Sequence, residues 1–199
     1  MRHDLSKTRR MVGMAIFIAL IVVLQTVATF IKFGPFSITL ALVPIVVGAA
    51  MYGSSAGAVL GGAFGVVVLI YTITGADAGA YVLWTANPLL TAVLCLVKGI
   101  LAGWLAGLVY AAISKKNMTA AAFCAAFVCP IVNTGIFIAA MIFLYRDTLA
   151  AWAGGANVIY YAFIGLTGIN FLLEFGLNFV LGPVVARIVY IAKKGRLSQ

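Results

Sequence analysis

Six apolar runs, 11–31, 36–52, 56–73, 88–113, 119–145 and 160–192, constrain this chain more than any other feature. A helix needs about 20 mostly apolar residues to cross the hydrocarbon core, and only helices and closed barrels satisfy their backbone there. The runs therefore predict an all-α membrane protein, a bundle of six transmembrane helices forming a single integral membrane domain over residues 1–199. With 65% hydrophobic and 9% charged residues and a mean hydropathy of +1.19, a water-soluble domain is excluded. The second run is short and contains Pro44, which predicts a kinked, tilted or shielded span. Two stretches, 74–87 and 146–157, are too polar and Gly-containing to span, and predict aromatic loops at the membrane interface.

The net charge of +9 reads as topology rather than as a nucleic-acid surface, because the basic residues sit at the ends of apolar runs. Arg2, Lys7, Arg9, Arg10, Lys115, Lys116, Lys193, Lys194 and Arg196 fall on the side of the N-terminus, with Arg187 close by. Only Lys32 and Arg146 flank the other side. The positive-inside rule then predicts cytoplasmic N- and C-termini and outer aromatic loops. The opening MRHDLSKTRR precedes an apolar run with no clear small-x-small cleavage site, so a retained first helix is expected rather than a signal peptide.

Polar side chains inside the runs are few. Lys98 lies in the fourth, Asn133 and Thr134 in the fifth, and Asn170, Glu174 and Asn178 form an i, i+4, i+8 stripe in the sixth. Counted from the outer ends at about 1.5 Å per residue, Lys98, Asn133, Asn170 and Glu174 share one level roughly 15 to 21 Å deep. A charge at mid-bilayer costs about 2.5 to 3.5 kcal/mol even on insertion scales, so Lys98 and Glu174 need a partner or a purpose. Two readings remain open: a Lys98–Glu174 ion pair that locks helices, or a cavity that orients a polar solute, with Tyr81 and Trp84 covering it. Tyr81 and Trp84 serve equally well as interface anchors.

No GxxxxGK[ST], HExxH or GxSxG motif occurs, and no paired carboxylates lie in a cleft-like polar stretch, so an enzyme, and ATP hydrolysis above all, is not expected. Cys95, Cys124 and Cys129 show no metal-ligand spacing and read as core filler, and His3 stands alone in the polar N-terminal stretch; neither cofactor nor metal is expected. Two small-residue faces stand out: Ala15-x-x-x-Ala19, with Gly13 before it, and a ladder of Gly53, Gly57, Gly61 and Gly65. Both permit close helix approach, and internal packing suffices to explain them.

Several of these pieces occur in order: the basic N-terminus, Ala15-x-x-x-Ala19, Ile38-Thr-Leu-Ala-Leu-Val-Pro44-Ile-Val-Val-Gly48, Tyr52-Gly-Ser-Ser-Ala-Gly57, Asn87-Pro88 and Lys98-Gly-Ile-Leu-Ala-Gly103. Taken together they resemble the substrate-binding S component of energy-coupling factor (ECF) vitamin transporters of prokaryotic plasma membranes. The resemblance implies a six-helix subunit that captures a micronutrient outside and docks on a transmembrane T subunit with two cytosolic ATPases. It gives Ala15 and Ala19 the role of T-subunit docking face and places the site in the outer half. Lys98, Asn133, Asn170 and Glu174 are matched to the site by depth and chemistry alone, with Lys98 expected at a carboxylate or other acceptor, Glu174 at a donor or cation, and the asparagines at neutral groups. Pantothenate and riboflavin are candidate solutes. The competing readings are a stand-alone transporter coupling protons through Glu174, and a structural membrane protein.

Overall fold

The computed structural model describes residues 2–33, 36–168, 171–177, 180, 187 and 191, with residues 2–6, 32 and 33 as backbone alone. Asn170, Asn178, Lys193, Lys194 and Arg196 lie outside the described residues. Helix α1 (Arg2–Thr29) starts ahead of the expected boundary at 11, so the basic opening is helical. Its buried stripe is Ile21, Gln25, Ala28 and Thr29, at the spacing of one helical face, while Val12, Ile16, Val23 and Val27 are exposed. Such an apolar outer surface fits lipid rather than water.

A hairpin of two-residue strands follows, β1 (Lys32–Phe33) and β2 (Phe36–Ser37), pairing Lys32 with Ser37 and Phe33 with Phe36. Its presence corrects the second predicted span. Only α2 (Leu42–Tyr52), 11 residues long, is helical, which at 1.5 Å per residue covers about 16 Å, half a bilayer core. Pro44 sits in the first turn, where no intrahelical N–H bond is due, and so opens the helix instead of kinking it. Leu42, Ile45, Val46 and Val47 are all buried, so α2 is shielded by its neighbours.

Helices α3 (Ser54–Ile73), α4 (Ala78–Ala86), α5 (Pro88–Ser114), α6 (Met118–Phe143) and α7 (Arg146–Ala153) come next. A one-turn α8 (Val158–Tyr160) runs into a π-helical turn, Tyr161–Leu166. Both predicted aromatic loops are thus largely helical. Asp77 caps α4 by accepting from the Ala80 amide, and α7 ends where Gly154 takes a left-handed φ of 57°. Among the described residues four helices are long and apolar enough to cross a membrane, Lys7–Thr29, α3, α5 and α6; a fifth forms if Arg146–Ala153 and Val158–Leu166, bent by 93°, count as one. The sixth predicted run lies only partly within the described residues.

The glycine ladder makes a seam. A Cβ at Gly57 would overlap the Gly103 carbonyl, one at Gly61 the Gly99 carbonyl, one at Gly65 the Cys95 carbonyl, and one at Gly107 the Ser54 backbone. This antiparallel alternation puts the α3 and α5 backbones in contact and fixes their register. Gly53 is not part of it: with φ of 95° it forms the break between α2 and α3. Arg10 Nη2 donates to the Tyr52 carbonyl at 3.4 Å, and Ser54 meets Gly107, so Arg10, Lys115 and Lys116 gather at one end of the bundle. Leu83 of α4 and Leu149 of α7 share a buried cluster at the other end.

Candidate solute-binding site

Between the end capped by α4 and α7 and the core around α2 lies a cavity of about 90 Å³. Its polar lining combines Lys98, Asn133, Thr134 and Glu174 with Gln25, Ser37, Thr39, Asp77, Thr91 and Thr167. Phe36, Phe64, Phe137 and Phe171 supply apolar walls.

Lys98 precedes Gly99 of the seam, so close packing of α3 on α5 sets its position. Its ammonium lies 5.5 Å from the centroid of Phe137, a cation–π distance. Glu174 is buried; Thr39 donates to its carboxylate, and the Lys98 charge acts on it. Asn133 follows Pro130 by three residues on α6 and is 4% exposed. Its Oδ1 and the Oε1 of Gln25 are buried with no hydrogen-bond partner among the described residues. Each such orphan costs about 1–3 kcal/mol, a deficit that a solute bearing N–H or O–H groups removes.

Asp77 closes the cavity toward the capped end. One carboxylate oxygen accepts from the Ala80 amide at 3.0 Å; the other accepts from the Ser37 amide at 3.0 Å and the Ser37 hydroxyl at 2.8 Å. The carboxylate therefore straps the hairpin onto α4. Asp77 and Glu174 both line this cavity, each engaged by other partners. Nearby, the Thr91 hydroxyl is 2.7 Å from the Tyr145 hydroxyl and 2.8 Å from the Leu83 and Asn87 carbonyls, tying the α4–α5 corner to the end of α6. Thr167 donates to the Ala162 carbonyl five residues back, spanning the wide π turn beside the cavity, where such turns often mark functional sites.

Of the residues expected at the site, Lys98, Asn133 and Glu174 line this one cavity. Tyr81 is 43% exposed and Trp84 half-buried on α4, whose lining side chains are Ala80 and Leu83 instead. The aromatic contacts at this wall come from Phe36, edge-on to Phe137 at 4.9 Å and to Trp152 at 5.7 Å. Ala15 and Ala19 are exposed on α1, whereas Gly13 faces inward against Tyr52. Cys95 belongs to the cavity wall, Cys129 to the core. Gln25, Ser37, Thr39 and Asp77 went unnoticed in the sequence. A lone amide in an apolar run was signal enough for Gln25, and an Asp ahead of an alanine-rich run for the cap at Asp77.

The family described as "ECF transporter, substrate-specific component" matches residues 9–186, most of the chain. No curated protein matches it.

Proposed function

Because the chain belongs to the family of ECF transporter substrate-specific components, we propose that it captures a small water-soluble vitamin or related micronutrient in this cavity and passes it, chemically unchanged, through a T subunit driven by two cytosolic ATPases. The observation that carries the reading is the cavity itself, where Lys98, Glu174 and two amides whose oxygens have no partner among the described residues converge inside a membrane bundle. In hydrocarbon surroundings such groups are retained for a use. Lys98 offers an ammonium to a carboxylate or carbonyl, Glu174 a carboxylate to a donor, and Asn133 an amide; Asn170 is assigned to the same site by its place in the sequence. Tyr81 and Trp84 act from α4, as cover or as interface anchors.

The concentration of basic residues at one end supports cytoplasmic termini in a prokaryotic plasma membrane, with the capped end and cavity facing outward. Exposure of Ala15 and Ala19 supports α1 as the T-subunit docking face. Pantothenate and riboflavin both carry the donors and acceptors this lining can engage.

The test is to purify the chain, identify what co-purifies by mass spectrometry, and titrate the released compound into wild type and Lys98→Ala. A vitamin that binds wild type and binds the variant at least about tenfold more weakly is the expected result. Absence of any vitamin-like compound, with no thermal stabilisation across a vitamin panel, overturns the proposal. Uptake by this chain alone that collapses with the proton gradient favours a proton-coupled carrier instead.

A further inference from the structure

Among the described residues helix α1 contributes one side chain to the cavity, and it is an amide. Gln25 is 5% exposed and belongs to the stripe Ile21, Gln25, Ala28, Thr29 that faces the bundle. Its Nε2 donates to the Ile38 carbonyl at 3.5 Å, the outer limit for a hydrogen bond, and its Oε1 has no partner among the described residues. As a purely structural residue this is a poor choice, since a methionine would fill similar volume without a buried orphan oxygen.

The other acceptors around the cavity divide clearly. Asp77 has both oxygens engaged by Ser37 and Ala80, and Glu174 is engaged by Thr39 and the Lys98 charge. The amide oxygens of Gln25 and Asn133 are buried acceptors with no donor among the described residues. The terminal torsion of each amide is broad and roughly two-fold, so its oxygen and NH2 can exchange places.

Resting on the reading of this cavity as the solute site, we infer that Gln25 is a specificity-determining residue that accepts a hydrogen bond from an N–H or O–H of the bound solute, with Asn133 accepting a second. The favoured solute therefore presents two donors, as a ring imide and hydroxyl, or an amide and hydroxyl, do. A site with buried acceptors rejects analogues lacking the matching donor far more strongly than an apolar pocket rejects a missing methylene. Substrate recognition thus extends to α1, the helix whose other face exposes Ala15 and Ala19.

The experiment uses the full chain in detergent, titrated with riboflavin, pantothenate, thiamine and biotin in turn. For whichever binds wild type, Gln25→Met is expected to weaken binding about tenfold or more, while the unliganded melting temperature changes little. Thr29→Val alters a buried neighbour that does not line the cavity and is expected to leave affinity unchanged. Methylating the solute donor and substituting Gln25 should be strongly non-additive. Wild-type affinity in Gln25→Met, equal losses in Gln25→Met and Thr29→Val, or unfolding of Gln25→Met alone overturns the inference while leaving the solute site standing. Wild type that binds none of the four and carries no co-purifying compound removes the solute site itself, and this inference with it.

Discussion

An alanine at Gly65 would place its Cβ 2.6 Å from the Cys95 carbonyl oxygen and 2.9 Å from the Leu96 Cα, where ordinary contact begins at 3.4 Å. Both neighbours are backbone, so no side chain can rotate away; α3 and α5 must part by about 0.8 Å, and a gap of that size forfeits a quarter to a half of each dispersion contact along the seam. Gly135→Ala on α6 is the matched control, since no described residue lies within 4 Å of its added Cβ. Each substitution gains the same helix propensity, about 0.8–1 kcal/mol, so their difference isolates the overlap. Overpacking of this kind costs about 1–3 kcal/mol, and Gly65→Ala should be less stable than Gly135→Ala by that amount. Unfolding in mixed micelles of a mild detergent and increasing dodecyl sulfate, followed by tryptophan fluorescence, measures it. Gly62→Ala, whose nearest neighbour is the Ile100 side chain at 3.4 Å, should group with Gly135→Ala. Equal or greater stability of Gly65→Ala would refute the backbone-to-backbone seam.

Three further outcomes follow from the same geometry. Ala15→Leu should abolish uptake in cells supplying the ATPase module while leaving solute affinity in detergent intact; lost affinity would make that face internal. Asp77→Ala removes a helix cap and both bonds to Ser37, and amide hydrogen exchange at Ser37 should accelerate by about tenfold or more, whereas unchanged protection would mean the strap holds nothing. With the native cysteines replaced, Ala150→Cys should react with a membrane-impermeant maleimide on intact cells and Lys116→Cys only after permeabilisation; the reverse pattern inverts the orientation.

Membrane residence and the long helices were legible because bilayer physics leaves few alternatives: an apolar run as long as 88–113 has one low-energy form, and α5 occupies Pro88–Ser114. The run 36–52 misled because hydropathy registers burial, not conformation. Phe36 and Ile38 are apolar for a hairpin and linker that pack on the bundle, and α2 is apolar all round because it is enclosed. Lys98, Asn133 and Glu174 stood out as polar groups at depth, and depth counting brought them to one level. Asp77 lies between runs, and Ser37 and Thr39 at the start of the second, where polarity is ordinary, so only tertiary folding gives them a cavity to line. The glycine ladder was readable as packing, but its partner was not, because α5 answers it with glycines at 99 and 103 and a backbone carbonyl at Cys95.

The brevity of α2 has a kinetic consequence. It begins three residues after Thr39 at the cavity wall and ends at Tyr52 beside Arg10, so a plug about 16 Å thick, the length of α2, stands between the cavity and the basic end. That plug is a solid of interlocked side chains, Ile45, Leu60, Phe64, Ala102 and Ala126 among them, with no polar stepping stone among these. Close-packed interiors do not part by small fluctuations. On the proposed function, release toward the basic end would require this layer to open as a unit under a force supplied from outside the chain, and the same layer would suppress leakage through the resting subunit.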